Sequence, residues 1–126
     1  MKGHFARVLA AADSLPNVTE SIWYRTPALR ARRKCFARMK NDTTLVLLLP
    51  MEMKEMLLAA RPEVFFETDH YRGYPALLVR MAVIDDDELA HWIAQSWASV
   101  ATKTDLRSRP DIGQPQPNPP LTGGFA

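Results

Sequence analysis

Between Arg25 and Lys40 the chain carries seven cations (Arg25, Arg30, Arg32, Arg33, Lys34, Arg38 and Lys40) and no acid. Guanidinium and ammonium groups at this density can meet phosphate oxygens, and such contacts carry no base-sequence information. Phe36, set among them, could stack or wedge against a base. A second group of residues is aromatic. His70, Tyr71 and Tyr74 fall within one polar stretch, and together with Trp23 and Trp97 they form a candidate ligand pocket. Rings with polar tips on an apolar wall are what orients a small molecule. Each group also has a plainer reading. Arginine stems can simply cover apolar surface on a solvated sheet face, and a histidine can tie down its own loop through hydrogen bonds.

Other chemistries find little support. Cys35 is the single cysteine, so no intramolecular disulfide can form and a reducing compartment fits. A cysteine on the apolar side of a strand is usually inert, which argues against nucleophilic catalysis. His4, His70 and His91 lack metal-ligand spacing, and no metal or cofactor is expected. Asp85 to Glu88 is an acidic run, but it sits where a helix start needs it. Met51, Met53 and Met56 read as core filler. Zinc-finger spacing, an RNP motif and a helix-turn-helix pattern are all missing, so sequence-specific base reading is not indicated.

The elements that must position these residues follow from periodicity. Phe5, Val8, Leu9, Ala12 and Leu15 recur at helical spacing up to Pro16. An extended run over 20–25 is interrupted at Thr26-Pro27. A β-hairpin is then predicted, 28–31 against 35–40, with Arg32-Arg33-Lys34 as its connection. That odd loop pairs Ala31 with Cys35. Leu29, Ala31, Cys35, Ala37 and Met39 then share one face, and Arg30, Phe36, Arg38 and Lys40 share the other. A two-residue turn would mix the faces.

Residues 43–49 are apolar on both sides and predict a central strand. A helix from Pro50 to about Ala60 is expected to turn Met53, Met56, Leu57 and Ala60 inward. A short strand over 64–67, a loop over 68–75 and a strand over 76–83 come next. Asp85 and Glu88 form a capping box for the last helix, whose inward stripe is Leu89, Trp92, Ile93, Ser96 and Val100. Composition shifts after Leu106 to five prolines and few apolar residues. The reading is therefore a single α+β domain over 1–106, with a largely antiparallel sheet packed against helices, and a flexible Pro/Gly-rich tail over 107–126.

With 126 residues, 47% hydrophobic and 24% charged, the chain has the composition of a globular domain able to bury its own core. Its net charge of +2 is small but unevenly spread. Residues 1–50 hold nine Lys and Arg against three Asp and Glu, and the remainder holds seven against eleven. Such asymmetry suits an anionic partner. The first residues read as a helix and not a signal peptide, and the longest apolar run is too short to cross a bilayer. A cytoplasmic location without membrane association is expected.

Several motifs together resemble the MmcQ/YjbR family: Leu15-Pro16 followed by Glu20, Pro27-Ala28-Leu29, Lys34-Cys35-Phe36-Ala37, His70-Tyr71-x-Gly73-Tyr74-Pro75, and a final helix with Ser96-Trp97. The resemblance covers roughly residues 3–104. It implies a compact α+β domain of the frataxin/CyaY-like kind, also described as a double-wing DNA-binding fold. Two features depart from the pattern. Arg33 stands where many relatives have a turn glycine, and the proline-rich tail lies outside the family's extent. The first helix carries no acidic ridge, so iron handling is not expected.

The functional expectation is a non-enzymatic DNA-binding protein that contacts mainly the phosphate backbone through Arg30, Arg32, Arg33, Lys34, Phe36, Arg38 and Lys40. The competing expectation is a small-ligand-binding or protein-interaction module built on the aromatic loop around His70.

Overall fold

The computed structural model describes residues 3–113. Six strands form one antiparallel sheet in the order β1-β2-β3-β4-β6-β5. They are β1 (Val18–Trp23), β2 (Thr26–Ala31), β3 (Lys34–Met39), β4 (Thr44–Leu48), β5 (Phe65–Phe66) and β6 (Ala76–Arg80). Helices α1 (Gly3–Ala11), α2 (Met51–Ala60) and α3 (Asp86–Val100) are joined by two short helices, α4 (Lys103–Ser108) and α5 (Pro110–Gly113). The α+β class with a largely antiparallel sheet is what the periodicities predict.

The main core lies between one sheet face and the helices. Leu29, Phe36, Leu45, Leu47, Leu77 and Val79 meet Val8 of α1 and Leu89, Ile93 and Trp97 of α3. Each such side chain, fully buried, contributes roughly 1.5–3 kcal/mol relative to exposure. The capping box is present. The Asp85 carboxylate accepts the Glu88 backbone N–H at 2.8 Å and starts α3.

The hairpin differs from expectation at its tip. Its connection is two residues, Arg32-Arg33, so that Ala31 pairs with Lys34 and Arg30 with Cys35. A one-residue bulge between Leu29 and Arg30 then shifts the register, and Leu29 pairs with Ala37 and Ala28 with Arg38. The extra residue allows Phe36 and Ala37 both to sit buried in the helix-side core. Phe36 is therefore not on the basic face. Cys35 moves the other way, onto the outer side beside Arg30. The turn's left-handed residue is Arg32 at φ 56°, not Arg33.

Three further expectations are corrected. Trp97 belongs to the core and not to a pocket, fully buried with its Nε1 donating to the Pro16 carbonyl at 3.2 Å. Met56 points to solvent, and Lys54 takes the inward position one turn from Leu57. The boundary drawn at Leu106 falls inside α4, because Leu106 and Ile112 both pack against the core. The expected flexible tail otherwise falls on residues 114–126, which lie outside the described residues.

Candidate nucleic-acid interface

Among the described residues no α-helix packs on the sheet's second face, which is partly covered by the loop carrying Tyr71. Cross-strand partners share a side in an antiparallel sheet, so the pairs Thr19–Arg30, Arg30–Cys35, Ala28–Arg38, Arg38–Val46 and Val46–Leu78 lie on this outer face. Lys40 follows the buried Met39, and its backbone N–H bonds the Thr44 carbonyl at 2.8 Å, which carries its side chain to the same face. Without the bulge, Arg38 would fall opposite Pro27 and turn toward the helices. The bulge is what brings Arg30, Arg38 and Lys40 together.

The remaining cations of the cluster go elsewhere. Lys34 pairs with the buried Ala31 and so lies toward the helix side. Arg33 is exposed at the hairpin tip. Arg32 is engaged by the buried Asp105 of α4, whose two oxygens lie 2.7 and 3.0 Å from its Nε and Nη2. Asn17 Nδ2 donates to the same carboxylate at 2.8 Å, and the Asn17 carbonyl accepts the Arg32 N–H at 3.0 Å. The Arg32 hydrogen bonds hold the Asp105 carboxyl down to about 2, against the opposing effect of burial. Arg32 is thus a latch for the strained turn, not an open phosphate ligand.

Aromatic residues frame the outer face. The β1–β2 turn, Tyr24-Arg25, has φ 55° and 68°. Two consecutive left-handed residues give the type I′ geometry that suits hairpins, at a cost of about 1–3 kcal/mol each for non-glycine residues. The turn sets Trp23 and Tyr24 in a stack, centroids 5.6 Å apart, with 42% and 73% of their surfaces exposed. Arg38 lies over the Tyr24 ring at 5.2 Å, and its Nη2 donates to Tyr71 Oη at 2.9 Å.

Tyr71 ends the 3-10 turn Asp69–Tyr71, and Lys54 anchors that loop. Lys54 Nζ reaches the carbonyls of Tyr71 and Tyr74, both at 2.7 Å, and Glu67 Oε1 at 2.9 Å. It is nearly fully buried, and these three acceptors satisfy all three of its donors. Beneath the loop, Val46, Ala76 and Leu78 form a small second core covered by Leu48, Phe66 and Tyr71.

The result is a trench in two adjoining parts. A cleft of about 200 Å³ is lined by Trp23, Tyr24, Cys35, Arg38, His70 and Tyr71 over a floor of Val46, Leu48 and Ala76. A wider one of about 520 Å³ continues past Trp23, His70 and Tyr71 to Tyr74 and Pro75. Four of the five expected pocket residues, Trp23, His70, Tyr71 and Tyr74, therefore come together, and Trp97 does not. Cys35 and His70 share the narrower cleft, yet burial pushes the Cys35 thiol up, and its sulfur donates to the Ala37 carbonyl at 3.7 Å.

Sequence reasoning missed three participants. Tyr24 was readable only once the turn was placed at 24–25. Arg80 lies over the Phe66 ring at 4.1 Å on the same outer face, and alternation along β6 could have found it. Lys54 gave no signal, because its partners come from a loop beyond the helix. No three His, Cys, Asp or Glu side chains gather as a metal site among the described residues. No helix among them is long and apolar enough to cross a membrane.

An antiparallel sheet backed by helices on one face, with an open face of arginines and rings on the other, defines an α+β sheet-platform domain. The chain belongs to the YjbR family, whose model matches residues 13–99. Uncharacterised proteins of Mycobacterium tuberculosis and Mycobacterium bovis are 43% identical to it over 51 residues, 40% of this chain and 40% of each relative. The match thus spans about two fifths of the length of these curated relatives. A crystal structure of a Deinococcus radiodurans protein, described as a DUF419 domain, superposes with a TM-score of 0.64. It covers 94% of this chain and 92% of that one at 20% identity, a likeness of fold.

Proposed function

We propose that this protein is a non-enzymatic DNA-binding protein of the cytoplasm, contacting mainly phosphates through the outer face of its basic hairpin. One observation carries the reading. Of the seven cations between Arg25 and Lys40, Arg32 alone is paired with an acid among the described residues. The excess of acids in the second half of the chain is directed elsewhere, to Arg7, Lys54, Arg61, Arg72 and Arg109. Arg30, Arg38 and Lys40 are the phosphate contacts, with Arg33 at the tip. Arg32 and Lys34 are not part of the set.

Binding of duplex DNA should weaken as salt rises, with a log–log slope of about −0.9 per phosphate neutralised. Arg30→Ala and Lys40→Ala should each flatten that slope by about 0.9, and Lys34→Ala should leave it nearly unchanged. Binding that is absent at low salt, or indifferent to salt, removes the proposal.

A second reading is favoured by the exposed rings of Trp23 and Tyr74 along the trench, which suit a small ligand or a peptide. Thermal-shift screening against metabolites separates the two. A ligand-induced shift abolished by His70→Ala but kept on charge reversal at Arg30 would support the second reading over the first.

A further inference from the structure

We propose that the trench takes unpaired bases of single-stranded DNA, stacked on Trp23 and against the His70–Tyr71 wall, with flanking phosphates on Arg38 and Arg30. This deepens the DNA-binding reading and rests on it. The two parts of the trench share Trp23, Leu48, His70, Tyr71 and Ala76, so they form one continuous path. Among the described residues no Asp or Glu lines either part. A polyanion with flat rings therefore meets π-faces along the path and one cation, Arg38, at its narrower part, with no carboxylate in the lining.

Size and donor count agree with this occupant. The narrower part, about 200 Å³, falls below the roughly 300–1,000 Å³ of pockets for drug-sized ligands, and so suits one ring system at a time. The wider part, about 520 Å³, leaves room for the neighbouring base. The Arg38 guanidinium, beside the narrower part, has five N–H donors, and one of them is used, toward Tyr71 Oη. The rest can grip a phosphate in the forked geometry arginine favours. Bases in a duplex are stacked on each other and present only their edges. Rings that stack with bases therefore select strands whose bases are free. DNA is taken ahead of RNA on the DNA-binding reading alone.

Fluorescence anisotropy on the full chain tests the proposal, using a labelled thymidine oligomer, a DNA duplex of equal length and a uridine RNA oligomer at one low salt concentration. The thymidine oligomer should bind roughly tenfold tighter than the duplex, as expected for one or two stacked bases. Trp23→Ala should remove that advantage and leave duplex binding intact, and Trp23→Phe should restore most of it. Duplex binding equal to or tighter than the single strand overturns the stacking proposal and leaves the phosphate reading standing. Tighter binding of the RNA oligomer overturns the assignment to DNA. Loss of binding to both DNA forms in Trp23→Ala, with an unchanged melting temperature, overturns the division of labour between ring and cation. Absence of binding to any nucleic acid removes both this proposal and the one it rests on.

Discussion

Arg38 and Tyr71 are 33 positions apart in the chain, and a 2.9 Å hydrogen bond joins the guanidinium of one to the phenol oxygen of the other. That contact ties the basic hairpin to the aromatic loop. The two groups of residues that could be read from the sequence as separate candidates are two walls of one trench. Because the bond leaves the charge of Arg38 in place, it orients a cation without neutralising it.

Tyr71→Phe keeps the ring and removes the acceptor. A half-buried hydrogen bond to a charged donor is worth about 1.5 kcal/mol here, the low end for charged groups because water can reach the site. The urea midpoint should fall accordingly at an unchanged m-value. Binding of single-stranded DNA should be largely kept, since the stacking surface and the cation both remain.

Lys54→Met replaces a buried ammonium by an apolar chain of similar length. It leaves the carbonyls of Tyr71 and Tyr74 and the Glu67 carboxylate without their shared donor. Breaking one partner of a buried pair costs about 3–5 kcal/mol. Chemical denaturation should show a loss of that size. Amide exchange over residues 71–76 should accelerate more than exchange in β3, because the lysine holds the loop and not the sheet.

Stability should fall in acid through Asp105. Its folded carboxyl is held at about 2, below the ordinary 3.8. A depressed pKa means that the unfolded chain binds the proton more readily. The stabilisation is complete above about pH 4 and is lost as pH falls toward 2. Glu63 and Asp111 are lowered by Arg61 and Arg109 and act in the same direction. Urea titrations from pH 5 to pH 2.5 should show the decline, and Asp105→Asn should be less stable at pH 5 while showing a shallower dependence.

Phe36→Ala tests the corrected placement of this ring. Buried in the helix-side core beside Ser96, whose hydroxyl donates to the Phe36 carbonyl at 3.1 Å, it should cost about 3–5 kcal/mol when truncated. The folded fraction should bind duplex DNA with an unaltered salt slope. A slope or affinity change without loss of stability would return Phe36 to the contact surface.

Some of the fold was legible because local chemistry determines it. Asp85 and Glu88 start α3 through a hydrogen bond three residues long. The apolar run from Leu45 to Leu49 marks the central strand β4, and Leu29, Ala37 and Met39 alternate as a half-buried ribbon must. Trp97 was also within reach, since it lies four residues past Ile93 on the stripe that faces the core. Met56 was misplaced because α2 turns Lys54 inward. That choice depends on two carbonyls and a carboxylate outside the helix.

The sequence by itself determined the family, the order of the three long helices and the strands, and the gathering of cations near one hairpin. Those properties follow from residue type and from periods of two or 3.6 along the chain. Alternation read along the chain already put Arg30, Arg38 and Lys40 on one face, but only the tertiary structure decided how this is done, through a bulge that buries Phe36 and turns Cys35 outward. A single extra residue at Phe36 reverses the facing of everything beyond it, and the core fills best when Phe36 and Ala37 are both buried. The same holds for Arg32, whose charge looks available in sequence and is engaged in the fold by an aspartate 73 positions away. Alternation is a local rule, but register and ion pairing are settled by contacts between segments that the chain order does not bring together.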